Sequence, residues 1–173
     1  MLLNIINMGD IMVAIKNIND KMFNLSKSKF IFTILLLNFI ISVLFTPIEI
    51  FYETYVGSMG GVDIKNFKIL FIRAVIIAPL EETLIYQMGV IKLFSLNKKI
   101  KNNKLILIII SAIFFGLAHA YSILYIFYGF IIGIPLAYSF IVYEEKEKSG
   151  FWVTVIIHSL MNLTTFVIRI LTI

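Results

Sequence analysis

Residues 76–90 read IIAPLEETLIYQMGV. Two adjacent acids, Glu81 and Glu82, stand inside an apolar run that starts near Lys68 and ends near Lys92. About 20 apolar residues rising about 1.5 Å each cross a hydrocarbon core about 30 Å thick, so this run is long enough to span a bilayer. A carboxylate at mid-bilayer costs roughly 2.5–3.5 kcal/mol on insertion scales and is rare without a task. Two such acids need partners that are polar and equally deep, and those partners have to come from other spans.

The composition agrees with a membrane setting. The chain has 173 residues, of which 60% are hydrophobic, with a mean hydropathy of +0.98. Soluble domains hold about 45–50% apolar residues. The net charge is +5, and the lysines cluster in short connecting stretches. That pattern fits cytoplasmic loops of a multi-pass membrane protein and not a nucleic-acid groove. There is no cysteine, which excludes a disulfide, a thiolate nucleophile and a Cys-ligated metal. The first 28 residues, scattered with Asn, Asp and Lys, do not read as a cleavable signal peptide.

Five apolar spans follow one another at about 30–48, 68–91, 105–120, 123–143 and 151–172. The expected fold is an all-α polytopic membrane helix bundle over 29–173. Residues 1–28 read either as an amphipathic helix on the membrane surface or as a loosely ordered N-terminal tail. Pro47 marks the expected end of the first span, and Pro79 predicts a kink just before the acids. Pro135 is expected to bend the fourth span, where Gly129 and Gly133 have the GxxxG spacing that lets a neighbouring helix come close. The stretches 49–67, 92–104 and 143–150 read as loops. Trp152 falls at interface depth, and Arg169, near the far end of the last span, can snorkel to headgroups. Lysine-rich and acidic connections alternate, which puts the N-terminus in the cytoplasm and the C-terminus outside.

The deep polar residues outside the second span are His119, His158 and Asn162. They include both histidines of the chain. Two deep acids, two deep histidines and an Asn on three spans point to a shared site. His158 and Asn162 are four apart and share one helix face, as do Phe115 and His119, and Glu82 and Tyr86. Gln87 follows and can donate amide hydrogen bonds to another helix. Counting from the lysine-rich loops puts Glu82 and His158 roughly 12–15 Å deep and His119 roughly 22 Å deep. Helix tilt has to close that gap if the groups are to meet.

These blocks resemble the motifs of the CPBP family, the CAAX prenyl-endopeptidase and bacteriocin-processing intramembrane proteases also called Abi. That family carries a Glu-Glu pair followed by an aromatic and an Arg, then FxxxH, then HxxxN or HxxxD. Here the second block is FGLAH at Phe115–His119 and the third is HSLMN at His158–Asn162. The resemblance covers about residues 68–166. The first block fits in two registers. With Glu81 and Glu82 as the pair, Tyr86 stands at the Arg position. With Glu82 first, Thr83 replaces the second acid, Tyr86 is the aromatic and Gln87 replaces the Arg. The second register keeps the aromatic and puts a polar side chain where the family has one. The Arg is absent in both.

The resemblance implies an intramembrane endopeptidase. Glu82, with Glu81 as a second candidate, would be the general base, and His119 would position the water. His158 and Asn162 would donate hydrogen bonds to the developing oxyanion. Tyr86, Gln87 and Phe115 would support them. The histidines do not form an HExxH unit, so the metal-free reading is favoured. Zn²⁺ on Glu82, His119 and His158 is the alternative. The expected partners are membrane lipids and a peptide or protein substrate, in a bacterial or archaeal cell membrane. Two other readings are a non-catalytic bacteriocin-immunity or scaffold protein on the same fold, and a small proton-relaying transporter, although no inverted repeat is visible.

Overall fold

The structure is a computed structural model that describes residues 8–171. The first seven residues of the expected N-terminal segment and the last two of the expected bundle lie outside the described residues. Among the described residues every regular element is helical. Helix α1 (Met8–Asn24) leads into α2 (Lys27–Tyr55). After an irregular stretch, a continuous helical rod runs from 67 to 94. The rod consists of α3 (Phe67–Phe71), a π-helical stretch (Ile72–Ile77), α4 (Ala78–Glu82), a second π-helical stretch (Thr83–Gly89) and α5 (Val90–Phe94). The one-turn α6 (Lys98–Lys101) precedes α7 (Lys104–Ala118), α8 (Ile123–Glu147) and α9 (Gly150–Leu171). Helices α2, α8 and α9 are long and apolar enough to cross a membrane, and α7 is a shorter apolar helix. With the 67–94 rod they make the all-helical membrane bundle.

Helix α8 is the centre and packs against α7, α9 and α2. Leu136, Ala137 and Phe140 are sealed inside it. Small residues set its approach to α7. A Cβ on Gly129 would lie 3.2 Å from Cα of Gly116, and one on Gly133 would lie 3.0 Å from Cα of Ala112. The GxxxG spacing is therefore a real backbone contact, worth dispersion energy that larger residues would forfeit. On the outside, Leu44, Phe51, Leu84, Ile85 and Phe114 are exposed. So much open apolar surface is what a lipid solvent allows.

One end of the bundle is held by ion pairs from the end of α8. Glu147 meets Lys27 at 2.6 Å, Glu145 meets Lys104 at 2.6 Å and Glu144 meets Lys92 at 3.8 Å. Each exposed pair is worth about 0–1 kcal/mol, so together they fix which helix ends lie level more than they add stability. Lys146 also donates to the carbonyls of Phe23 and Leu25 at the junction of α1 and α2. Tyr138 Oη donates to Asn19 on α1. Residues 8–24 thus form a helix attached to the bundle.

Several expected boundaries move. Pro47 does not end its span, since α2 runs through it to Tyr55. The missing N–H removes one helical hydrogen bond, and the turns before it carry side-chain bonds from Ser42 to the Asn38 carbonyl and from Thr46 to the Ser42 carbonyl. The expected loop 143–150 is mostly the last turn of α8, closed by Lys148 in the left-handed region at φ 54°. Pro79 lies at the start of α4, directly after a π-helical stretch, where its lack of a donor breaks no α-helical bond. Pro135 likewise stays within the continuous α8.

The α7–α8 contact yields a stability prediction. A Cβ on Gly116 would lie 2.7 Å from the Ile126 carbonyl oxygen and 2.8 Å from Phe130 N, both backbone atoms that cannot step aside. Gly116→Ala should destabilise the bundle by about 1–3 kcal/mol, read as a lower midpoint of thermal unfolding in detergent. An unchanged midpoint would mean the two helices are further apart.

Candidate active site

Glu82 ends α4, and its carboxylate is half-buried. Its Oε2 lies 3.7 Å from Nε2 of His119 and 3.6 Å from Nε2 of His158. Three separate segments of the chain thus meet at one oxygen. The depth mismatch closes through side-chain direction. His119 caps α7, and its Nδ1 lies 2.7 Å from the Phe115 carbonyl, which folds the ring back over the last turn. Glu82 sits on a rod running the opposite way, so its side chain leans toward the other end of the bundle. The two reach toward each other.

The hydrogen bond of His119 also fixes its chemistry. A carbonyl only accepts, so Nδ1 carries the proton and neutral His119 presents a lone pair at Nε2. His158 is buried, and its Nδ1 has no hydrogen-bond partner. Phe115 wedges the two rings apart, with centroids 4.6 Å from His119 and 5.6 Å from His158. Tyr86 packs edge-on against the same phenyl ring at 6.0 Å. It supports the wedge and does not line the site.

Asn162 shares the cavity wall, and one of its amide hydrogens is used. Its Nδ2 donates to the Ala74 carbonyl at 2.8 Å, which ties α9 to the first π-helical stretch. Its second amide hydrogen remains to serve another acceptor. Gln87 is fully buried and lies outside the cavity lining. Glu81 is exposed and outside the cavity lining, with no ion-pair partner among the described residues. Thr83 and Gln87, the two residues that the register beginning at Glu82 sets in the places of the second acid and the Arg, are both buried.

A cavity of about 730 Å³ opens over Glu82, His119 and His158. Its walls come from α2, through residues such as Phe39 and Val43, and from α9, through Met161 and Thr165. Arg169 stands at its rim and donates to the Val62 carbonyl at 3.0 Å, so it holds the irregular 56–66 stretch instead of only reaching for headgroups. Tyr125 went unread in the sequence. Its ring stacks on His119 at 5.9 Å and 9°. The two residues are six apart across a turn, a spacing with no periodic signal. Thr154 was also missed, although it stands one helical turn from His158. Among the described residues no group of three or more acidic or histidine side chains is arranged to hold a metal ion.

An apolar helical bundle with a carboxylate and two imidazoles at the floor of a large cavity defines a membrane protein with an internal polar site. The chain belongs to a protease family: the model described as type II CAAX prenyl endopeptidase Rce1-like matches residues 64–164, more than half its length. Comparison with curated proteins and with solved structures gave no match.

The bond from Asn162 to Ala74 gives a prediction. Asn162→Ala leaves a carbonyl of the π-helical stretch without its partner, which should cost about 1–3 kcal/mol of stability. The check is chemical unfolding in micelles. No change in the midpoint would show that the Ala74 carbonyl finds another donor.

Proposed function

We propose that this chain is an intramembrane endopeptidase in which Glu82 activates a water to hydrolyse a peptide bond of a membrane-associated peptide or protein. The observation that carries this reading is the carboxylate held 3.6–3.7 Å from both imidazoles at the base of an apolar cavity. Those separations exceed a direct hydrogen bond of about 2.7–3.2 Å. They suit one water shared by the three groups.

In the proposed step, the water gives one hydrogen bond to Nε2 of His119 and the other to Glu82. Glu82 takes that proton as the oxygen adds to the scissile carbonyl. A carboxylate in a poorly solvated place is a stronger base than one in water. His158, with its proton on Nε2, donates to the oxyanion, and the second amide hydrogen of Asn162 joins it. Glu82 then passes its proton to the departing amine, and the C–N bond breaks. The mechanism needs no metal. The cavity walls of α2 and α9 suit an extended, apolar stretch of substrate. With the N-terminus in the cytoplasm, the ion-paired end of the bundle is the cytoplasmic end.

Purified chain in lipid vesicles, given a library of membrane peptides, tests this. Glu82→Gln should lower cleavage by about 100-fold or more, the usual loss on removing a general base. Glu81→Gln should stay within a few-fold of wild type, and a chelator should have no effect. Full activity in Glu82→Gln would sink the assignment of the base, and loss on chelation would sink the metal-free step. No cleavage by wild type, with protection against a bacteriocin surviving in Glu82→Gln, would favour the immunity reading.

A further inference from the structure

Outside the cavity lining, and close in sequence to Glu82 and His158, lies a second group of buried polar side chains. Thr83 and Gln87 on the rod are fully buried, as is Thr154 on α9. Thr83 Oγ1, both amide atoms of Gln87, Thr154 Oγ1 and His158 Nδ1 have no protein hydrogen-bond partner. Folded proteins rarely bury polar atoms unpaired, and ordered water serves such groups where side chains do not.

Register places these atoms at one level. The 83–89 segment packs against α9, and two contacts show that the rod and α9 run antiparallel. Asn162 meets Ala74, and His158 meets Glu82. Moving on along the rod therefore means moving back along α9. One turn beyond the Glu82–His158 contact, Gln87 comes level with Thr154. The π-helical stretch Thr83–Gly89 matters here. Its wider turn, with i→i+5 bonding, brings residues five apart onto one face. Gln87 thus follows Glu82 inward, where a regular α-helix would carry it round the rod.

We propose that Gln87 is a positioning residue for His158. Its amide, with the hydroxyls of Thr83 and Thr154, holds a buried water that supplies a donor to Nδ1 of His158. That keeps the ring proton on Nε2, the nitrogen facing Glu82. Glutamine suits the place because its amide can both donate to and accept from such a water without bringing a charge. A carboxylate there would draw the proton to Nδ1 and leave a bare Nε2 against Glu82. The inference rests on the reading of His158 as an Nε2–H donor.

The test is ¹⁵N magnetic resonance of the histidine-labelled 173-residue chain in vesicles. The chain has two histidines, so His119→Gln assigns the signals. In wild type, His158 should show a protonated Nε2 and a bare Nδ1. Gln87→Met and Thr154→Val, each close in shape to the original, should mix the two tautomers and lower the cleavage rate constant with little change in KM. A wild-type His158 protonated on Nδ1 overturns the proposal. So does a His158 spectrum unchanged in both variants. If Gln87→Met does not fold, Thr154→Val decides alone. An unchanged spectrum together with cleavage that still depends on Glu82 removes the positioning role and leaves the protease reading standing. Shifted tautomers in a chain that cleaves nothing keep the positioning role and remove the protease reading.

Discussion

One carboxylate faces two imidazoles on the wall of a cavity inside an apolar bundle, and the rest of the bundle is arranged to hold them there. Each group alone would be an expensive guest in an apolar phase. Together, from three segments of the chain, they form a site in which the charge and lone pairs of one answer the protons of another. The separations of 3.6 and 3.7 Å are set by helix packing and not by direct bonds between the groups. Changes in that packing therefore act on the chemistry.

The packing devices are small in number. Glycines at 116, 129 and 133 bring α7 and α8 into backbone contact, which sets the position of the α7 cap where His119 stands. Phe115 fills the space between the two histidine rings. Asn162 ties α9 to the rod through the Ala74 carbonyl. The ion pairs of Glu144, Glu145 and Glu147 keep three other helix ends level with the end of α8. None of these residues needs to touch a substrate to affect where Glu82, His119 and His158 meet.

The rod carrying Glu82 departs most from regular geometry. Two π-helical stretches flank the short α4, and Pro79 lies at its start. π-turns are rare and occur often at functional sites. Here they have a direct consequence. They decide which of the consecutive side chains Glu81, Glu82 and Thr83 turns inward, and they bring Gln87 into the buried layer below.

The membrane bundle itself was legible in the residues, because burial in lipid needs long apolar runs whose length is set by bilayer thickness. The pairs Phe115–His119 and His158–Asn162 were legible too, since a spacing of four puts two side chains on one face of any α-helix. Other features were not. The passage of α2 through Pro47, the outward turn of Glu81 and the inward turn of Gln87 depend on local bonding that an assumed 3.6-residue period does not contain. The stacking of Tyr125 on His119 depends on a turn, and the meeting depth of Glu82 and His119 depends on the direction in which each side chain leans. There is a general reason as well. In water, polarity marks the outer face of a helix, but lipid is as apolar as a protein core. The sequence alone therefore determined that this chain forms a membrane helix bundle and which polar residues lie deep in it. Only the tertiary structure decided which faces turn inward, and hence which of those residues meet.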